Sequence, residues 1–299
     1  MKKVLKFIGW GVLSLVAVLA VGMAIIYWQS GKRLKRTYVV RVNPVAVPMD
    51  AAAIERGRHL AATRGCVDCH GADLGGAKVV DDPAMGRLYG PNLTRGRGGL
   101  RAGYGDADYE RAIRHGVGGD GRGLFLMPST DYVQFSTQDM GDLIAYLKSV
   151  APVDRDTVPL KVGPVARALM LAGKIQLSAA VINHSAVKPA EVIPGVTVDY
   201  GRYMAAGCTG CHGANFSGGR IDIGPPDWPP AANLTPHASG RLAKWDEADF
   251  IRALRESRRP DGSELNPVMP RAFANLNDTE LKALWAYLRT IPAAAAGVR

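Results

Sequence analysis

The chain has 299 residues, 47% of them hydrophobic but only 7% aromatic, with 35 glycines, 19 prolines and four cysteines. That length excludes a small disulfide-stapled scaffold and suits two modest domains with additional segments, while the glycine content points to long irregular connections. The formal charge of +10 does not mark a nucleic-acid protein: seven of the 37 Lys and Arg lie within residues 1–40, where no acid occurs, leaving 30 basic against 27 acidic residues and no basic patch interleaved with aromatics.

The first predicted element is a membrane helix. Phe7 to Trp28, FIGWGVLSLVAVLAVGMAIIYW, runs 22 residues without a charge. At about 1.5 Å per helical residue such a run covers roughly 33 Å, enough to cross the hydrocarbon core of a bilayer. Trp10, Tyr27 and Trp28 lie toward its ends, where amphipathic rings favour the headgroup level. A cleaved signal peptide is the alternative, but its apolar region is typically about 7 to 15 residues and leads into a small-residue cleavage site. Here the run continues through Ile25, Ile26, Tyr27 and Trp28 into Gln29. Residues 1–40 are therefore expected to form an uncleaved anchor. Lys2, Lys3, Lys6 and the amino terminus on one side balance Lys32, Arg33, Lys35 and Arg36 on the other, so loop charge does not orient it.

Beyond residue 50 the chain aligns with itself at an offset of 141 to 144 residues. Gly57-Arg58 meets Gly201-Arg202, Asn92-Leu93-Thr94 meets Asn233-Leu234-Thr235, Arg111 to Arg114 meets Arg252 to Arg255, Met127-Pro128 meets Met269-Pro270, and Ala145-Tyr146-Leu147 meets Ala286-Tyr287-Leu288. The period is too long for a solenoid, so each copy should be a domain of roughly 100 residues: residues 50–150 and 195–293, joined by a linker over 151–194.

Each copy predicts three helices. Asp50 is placed to cap AAAIERGRHLAATR, and Asp199 to cap YGRYMAAG. The middle helices are ADYERAIRHG and EADFIRALRES. The last are DMGDLIAYLKSV, after Ser136 and Thr137, and DTELKALWAYLRTI, where Asn277 and Glu280 stand at capping-box spacing. Period-two alternation is scarce, so the fold class is all-α. In the linker, GPVARALMLAGKIQL has apolar residues at 165, 168, 169 and 172, a helical spacing expected to pack across both domains.

All four cysteines fall in two phrases, CVDCHGADLGG from Cys66 and CTGCHGANFSGG from Cys208. Cysteines at i and i+3 share a helix face with the following histidine beneath them, which lets two thiols bond covalently to the vinyl groups of a haem while the imidazole reaches the iron; C-x-x-C-H is the signature of that attachment. A single zinc site is disfavoured because Cys69 and Cys208 lie in different copies of the repeat, much farther apart in sequence than the two ligand pairs of a structural zinc site usually are. A redox disulfide would expect a β-α-β context and would leave His70 and His212 without a role. The attachment residues are thus Cys66, Cys69 and His70, and Cys208, Cys211 and His212.

A second axial ligand is expected in each copy. Met127 follows His70 at the same sequence spacing at which Met269 follows His212. Each is followed by proline, which biases the methionine backbone toward extended conformations. Met85 and Met140 have no aligned methionine, and His59, His115, His184 and His237 are expected to be surface or capping histidines.

With these motifs the chain resembles class I c-type cytochromes in the dihaem arrangement of two fused domains. The resemblance covers about residues 50–150 and 195–293 and rests on the two CHG motifs, the two MP motifs and the AYL helices. It implies an all-α fold of three main helices around each of two covalently bound haem c groups. Because attachment occurs outside the cytoplasm, it also implies a body in a bacterial periplasm, tethered to the inner membrane by residues 7–28. Tyr104 and Trp245, aligned before the middle helix, either donate to a haem propionate or pack as half-buried aromatics. Asn92 and Asn233 either tie down the haem-facing loop or only form its turn. Arg111, Arg114, Arg252 and Arg255 read as a solvated face.

Ligation by His and Met fills both axial positions of the iron, so the expected role is electron transfer rather than substrate chemistry. The chain looks like the cytochrome subunits of membrane-bound alcohol or sugar-acid dehydrogenases, although those commonly carry three haems. Its expected partners are a dehydrogenase subunit and a terminal oxidase or quinone-linked complex of the respiratory chain. A subunit of a haem-copper oxidase is a close variant. A dihaem peroxidase is the alternative of another class.

Overall fold

The computed structural model describes residues 2–221 and 227–298. The apolar run near the start lies in one continuous helix, α1 (Lys2–Leu34), long and apolar enough to cross a membrane. It extends six residues past Trp28, and Lys32 and Arg33 in its last turn complement the negative end of the helix dipole.

The first copy comprises α2 (Ala51–Thr63), α3 (Cys66–His70), a hairpin of β1 (Ala77–Asp82) and β2 (Gly86–Gly90), α4 (Asp106–His115), α5 (Ser129–Tyr132) and α6 (Thr137–Ser149). The connection carries β3 (Lys161–Val162), α7 (Pro164–Leu171) and α8 (Ser178–Val181). The second copy has α9 (Val198–Ala205), α10 (Thr209–His212), α11 (Glu247–Glu256) and α12 (Asp278–Leu288), with 3-10 turns at 206–208, 241–244 and 271–275. The molecule is mainly helical, as the sequence leads one to expect. The small antiparallel sheet, ordered β1-β2-β3, was not legible because β1 is largely exposed and its register is broken between Lys78 and Val80.

The helix starts follow local capping chemistry. Asp50 accepts from Ala53 N, and Asn277 and Glu280 form a reciprocal capping box. Asp199 does not cap α9: Thr197, two residues earlier, accepts from Tyr200 N at 3.2 Å.

In each copy the first helix crosses the last, α2 on α6 and α9 on α12, and a glycine makes the approach possible. A Cβ on Gly57 would lie 2.0 Å from Asp142 O, and one on Gly201 would lie 2.0 Å from Ala283 O. Around these crossings sit two apolar cores. One includes Leu60, Tyr109, Ile113, Tyr132, Phe135 and Leu143; the other includes Tyr200, Met204, Phe250, Leu281, Leu284 and Leu288.

The linker helix α7 does not pack across both domains. β3, just before it, is paired to β2, so α7 is delivered onto the first copy and the end of α1. Arg33 donates to Met170 O at 2.5 Å, Arg167 donates to Ser30 Oγ at 2.9 Å, and the Arg167 guanidinium lies 4.5 Å above the Tyr27 ring. Ala166 and Met170 join Leu88, Phe125, Val162 and Leu177 in a third apolar cluster.

The two copies meet through equivalent positions. His59 Nε2 lies 2.9 Å from the Glu280 carboxylate, and Glu280 is the third residue of α12. Tyr203, which aligns with His59, donates its hydroxyl to Asp139, the third residue of α6, and accepts from Ser136 N at 3.0 Å. The first turn of each last helix thus holds the first helix of the other copy.

Candidate haem centres

The two attachment motifs form short helices bounded by glycine. Gly65, in the left-handed region at φ 73°, opens α3, and Gly71 at φ 81° closes it. Gly213 at φ 80° closes α10 in the same way. A side chain in this region is strained, which is why CHG rather than CHX recurs.

Both histidines are buried, and both hold Nδ1 against a backbone carbonyl: His70 to Pro91 O at 2.8 Å and His212 to Ala232 O at 2.7 Å. A bond from Nδ1–H to a carbonyl fixes the tautomer whose Nε2 carries the lone pair, the arrangement a metal-ligating imidazole needs. Burial keeps the His70 imidazole below its ordinary pKa, so the ring stays neutral. Burial also pushes the Cys66 thiol up to about 12 and the Cys208 thiol to about 11, and no disulfide joins any of the four cysteines. A Cys-x-x-Cys pair at each short helix, with a tautomer-fixed imidazole next to it, fits a group held by thioether bonds, and among the described residues no three His, Cys, Asp or Glu converge to hold a metal ion.

The loops that carry the two carbonyls are pinned identically. Asn92 Nδ2 donates to Val153 O at 2.7 Å, and Asn233 Nδ2 donates to Ala294 O at 2.7 Å, in each case 61 residues along the chain. The same asparagines accept from the backbone N of Thr94 and Thr235 at 2.8 Å. Each asparagine therefore both makes the turn and ties it down.

The methionine loops differ between copies. Cys66, Tyr104 and Met127 all pack against the first core. The carbonyl of Met127 accepts from Ser178 Oγ of the linker at 2.9 Å. Met269 is half-buried on the loop between α11 and the 3-10 turn at 271–275, and its amide donates to Asn266 O at 2.9 Å. Tyr104 meets Tyr109 edge-on at 4.9 Å and donates its hydroxyl to Asp108 O at 3.2 Å. Trp245 is half-buried against the second core, against which Cys208 also packs.

Several side chains expected at the surface are interior. His115 is 3% exposed and pairs Nδ1 to Nδ1 with His184 at 2.9 Å, and His59 bridges the copies. Arg114 is 4% exposed: it pairs with Glu110 at 2.7 Å and donates to the carbonyls of Val133 and Phe135, so it belongs to no solvated face. Arg111, Arg252 and Arg255 do pair with carboxylates at or near the surface. Sequence reasoning also passed over Arg64, which reaches from the first copy to Met204 of the second. The signal was present as a gap: the chain has two more residues between Gly57 and Cys66 than between Gly201 and Cys208.

Comparisons with known proteins agree with this geometry. The chain is 26% identical to the fructose dehydrogenase cytochrome subunit of Gluconobacter japonicus, over 86% of this chain and 57% of that protein. It is 28% identical to the gluconate 2-dehydrogenase cytochrome c subunit of Pantoea cypripedii, over 81% of this chain and 60% of the relative. It is 25% identical to a diheme cytochrome c-type protein of Cereibacter sphaeroides, over 92% of this chain and 98% of that protein. The chain thus spans little more than half the length of those two dehydrogenase subunits and nearly all of the diheme protein. The cytochrome c family matches residues 54–151 and 200–292, the two segments that hold the paired CHG helices and their pinned loops, and the chain belongs to that family, with covalently bound haem c as its cofactor.

Proposed function

We propose that this cytochrome is a membrane-anchored relay that takes electrons from a dehydrogenase partner and passes them to the respiratory chain, with both haem domains, residues 50–150 and 195–293, in the periplasm. The observation that carries the reading is the repeated centre: a CxxCH helix, a histidine held at Nδ1 by a carbonyl, and a Met-Pro pair at one fixed spacing beyond it, twice in one chain behind an apolar helix. Bound haem supplies a one-electron iron couple, and ligation by His and Met leaves no coordination position for a substrate. Cys66, Cys69, Cys208 and Cys211 would hold the group covalently, and His70, His212, Met127 and Met269 would supply its iron ligands. The apolar cores packed beside both centres would limit the reorganisation that accompanies a change of charge.

The relatives that serve fructose, gluconate and alcohol dehydrogenases support a dehydrogenase as the donor. The test is purification of the full chain in mild detergent, with identification of co-purifying subunits, a haem count by pyridine haemochrome, and carbon monoxide added to the reduced protein. A dehydrogenase subunit, two covalent haems and no rapid carbon monoxide complex are expected. Oxidase subunits in the pool would overturn the assignment of the partner, and fast carbon monoxide binding with peroxide turnover would replace the relay with a peroxidase.

A further inference from the structure

Arg64 occupies the seam between the two centres. It lies two residues before Cys66, and its guanidinium crosses to the second copy, where Nη1 donates to Met204 O at 3.1 Å and Nη2 contacts Met204 Sδ at 3.0 Å. Met204 lies four residues before Cys208, and a Cβ on Gly207, the residue before that cysteine, would be 3.8 Å from Arg64 Nη1. The cation faces the rings of Phe135 at 5.6 Å and Tyr203 at 5.9 Å. Its partners are thus a carbonyl, a thioether and two ring faces rather than a carboxylate. Its Nε is buried without a hydrogen-bond partner. Tyr132 fixes the backbone at the same point by donating its hydroxyl to Arg64 O at 2.9 Å.

A guanidinium in such a place keeps its charge, because arginine does not lose its proton in proteins. Low local dielectric extends the reach of that charge. Arg64 is two residues from Cys66, and its Nη1 reaches within 3.8 Å of the Cβ position of Gly207, next to Cys208. One cation therefore bears on the attachment edge of both sites. The second copy, two residues shorter here, supplies no counterpart. Asp131 and Asp139 are the opposing groups at the same seam; burial raises both carboxyls, Asp131 to about 6, so the negative charge of Asp131 is mostly present near neutral pH and offsets part of the Arg64 charge.

We propose that Arg64 is a positioning residue that sets the reduction potentials of both haems, its fixed positive charge in the domain seam favouring the ferrous form at each. The inference rests on the reading that Cys66 and Cys208 carry the two haems. The redox step makes and breaks no bond: one electron enters, the centre loses one unit of positive charge, and a nearby cation opposes the oxidised form more than the reduced one. Without the cation, both potentials fall.

The test is spectroelectrochemical titration of the detergent-solubilised full chain. Arg64→Met and Arg64→Gln remove the charge, Gln keeping a donor for Met204 O and so serving if the Met variant fails to fold. Arg64→Lys keeps the charge without the planar fork, and Tyr203→Phe loosens the seam by losing the bond to Asp139 while leaving Arg64 in place. Both midpoints are expected to fall in the Met and Gln variants, at least one by about tenfold in the reduction equilibrium, or roughly 59 mV for a one-electron couple. They should hold near wild type in the Lys and Phe variants. Unmoved potentials in Met and Gln, or an equal fall in Tyr203→Phe, would overturn the proposal. A haemochrome count on each variant separates the two levels: two covalent haems with unmoved potentials reject the role of Arg64, whereas a chain that never carries haem rejects the underlying site.

Discussion

At the residue scale, the glycines repeated between copies carry more structure than their spacing reveals. Gly57 and Gly201 appear in the sequence as members of a GR pair, and nothing local marks them as helix-crossing points. The crossing explains them: an added methyl group would meet a backbone carbonyl at 2.0 Å, and backbone cannot move aside as a flexible side chain does. Gly57→Ala is expected to destabilise the first copy by about 3 kcal/mol or more, since overpacking costs of order 1–3 kcal/mol even where neighbours yield. A chemical denaturation curve of the holoprotein checks it, and a midpoint unchanged from wild type would show that the helices separate freely. Caps were legible where side chain and amide are three residues apart, as at Asp50 and Asn277. Asp199 was misread because Thr197, two residues earlier, takes the same role.

At the element scale, what the sequence could not show is where the linker goes. Its apolar spacing correctly indicates a helix, but the partner was set by β3, two residues long and without a recognisable pattern. Further along, α8 and the turn after it lie against the end of α4. There His184 meets His115 at 2.9 Å, and at the start of α6 Thr137 N and Gln138 N donate to Pro189 O and Ala190 O. The groups facing His115 are His184, Glu110, Arg114 and Lys188. Burial, with help from the neighbouring cationic groups, lowers its pKa from the ordinary 6.5 to about 4. Between those values the unfolded chain binds more protons at this site than the folded one, so the contribution of His115 to stability rises with pH. It is present in full above about 6.5 and is lost as the pH falls toward about 4. A drop in denaturation midpoint between pH 7 and pH 5 is therefore expected, reduced in His115→Gln. An equal drop in both proteins would place the acid sensitivity elsewhere.

At the scale of the whole molecule, the repeat was legible in the sequence, while the asymmetry built on it was not. The two copies repeat their crossings, their pinned loops and their seam contacts, yet the chain after α1 and the linker elements β3, α7 and α8 are gathered on the first. The chain after α1 lies along the loop before Met127, with Tyr38 N donating to Gly121 O at 2.8 Å, and Ser178 of the linker holds the Met127 carbonyl at 2.9 Å. Gly123 on the same loop is packed by Leu177, Tyr38 and Ala179. The corresponding loop of the second copy carries mostly exposed residues from Arg258 to Met269, and a Cβ on Gly262 would meet nothing within 4 Å. Local opening is easiest where few contacts must break. Under the proposed ligation, imidazole added to the oxidised protein is accordingly expected to displace Met269 well before Met127, seen as loss of the methionine–iron charge-transfer band in two separated phases. Ser178→Ala should bring the second phase closer to the first without moving the first. A single phase, or a first phase that shifts with Ser178, would mean that the covering segments do not govern how firmly each methionine is held.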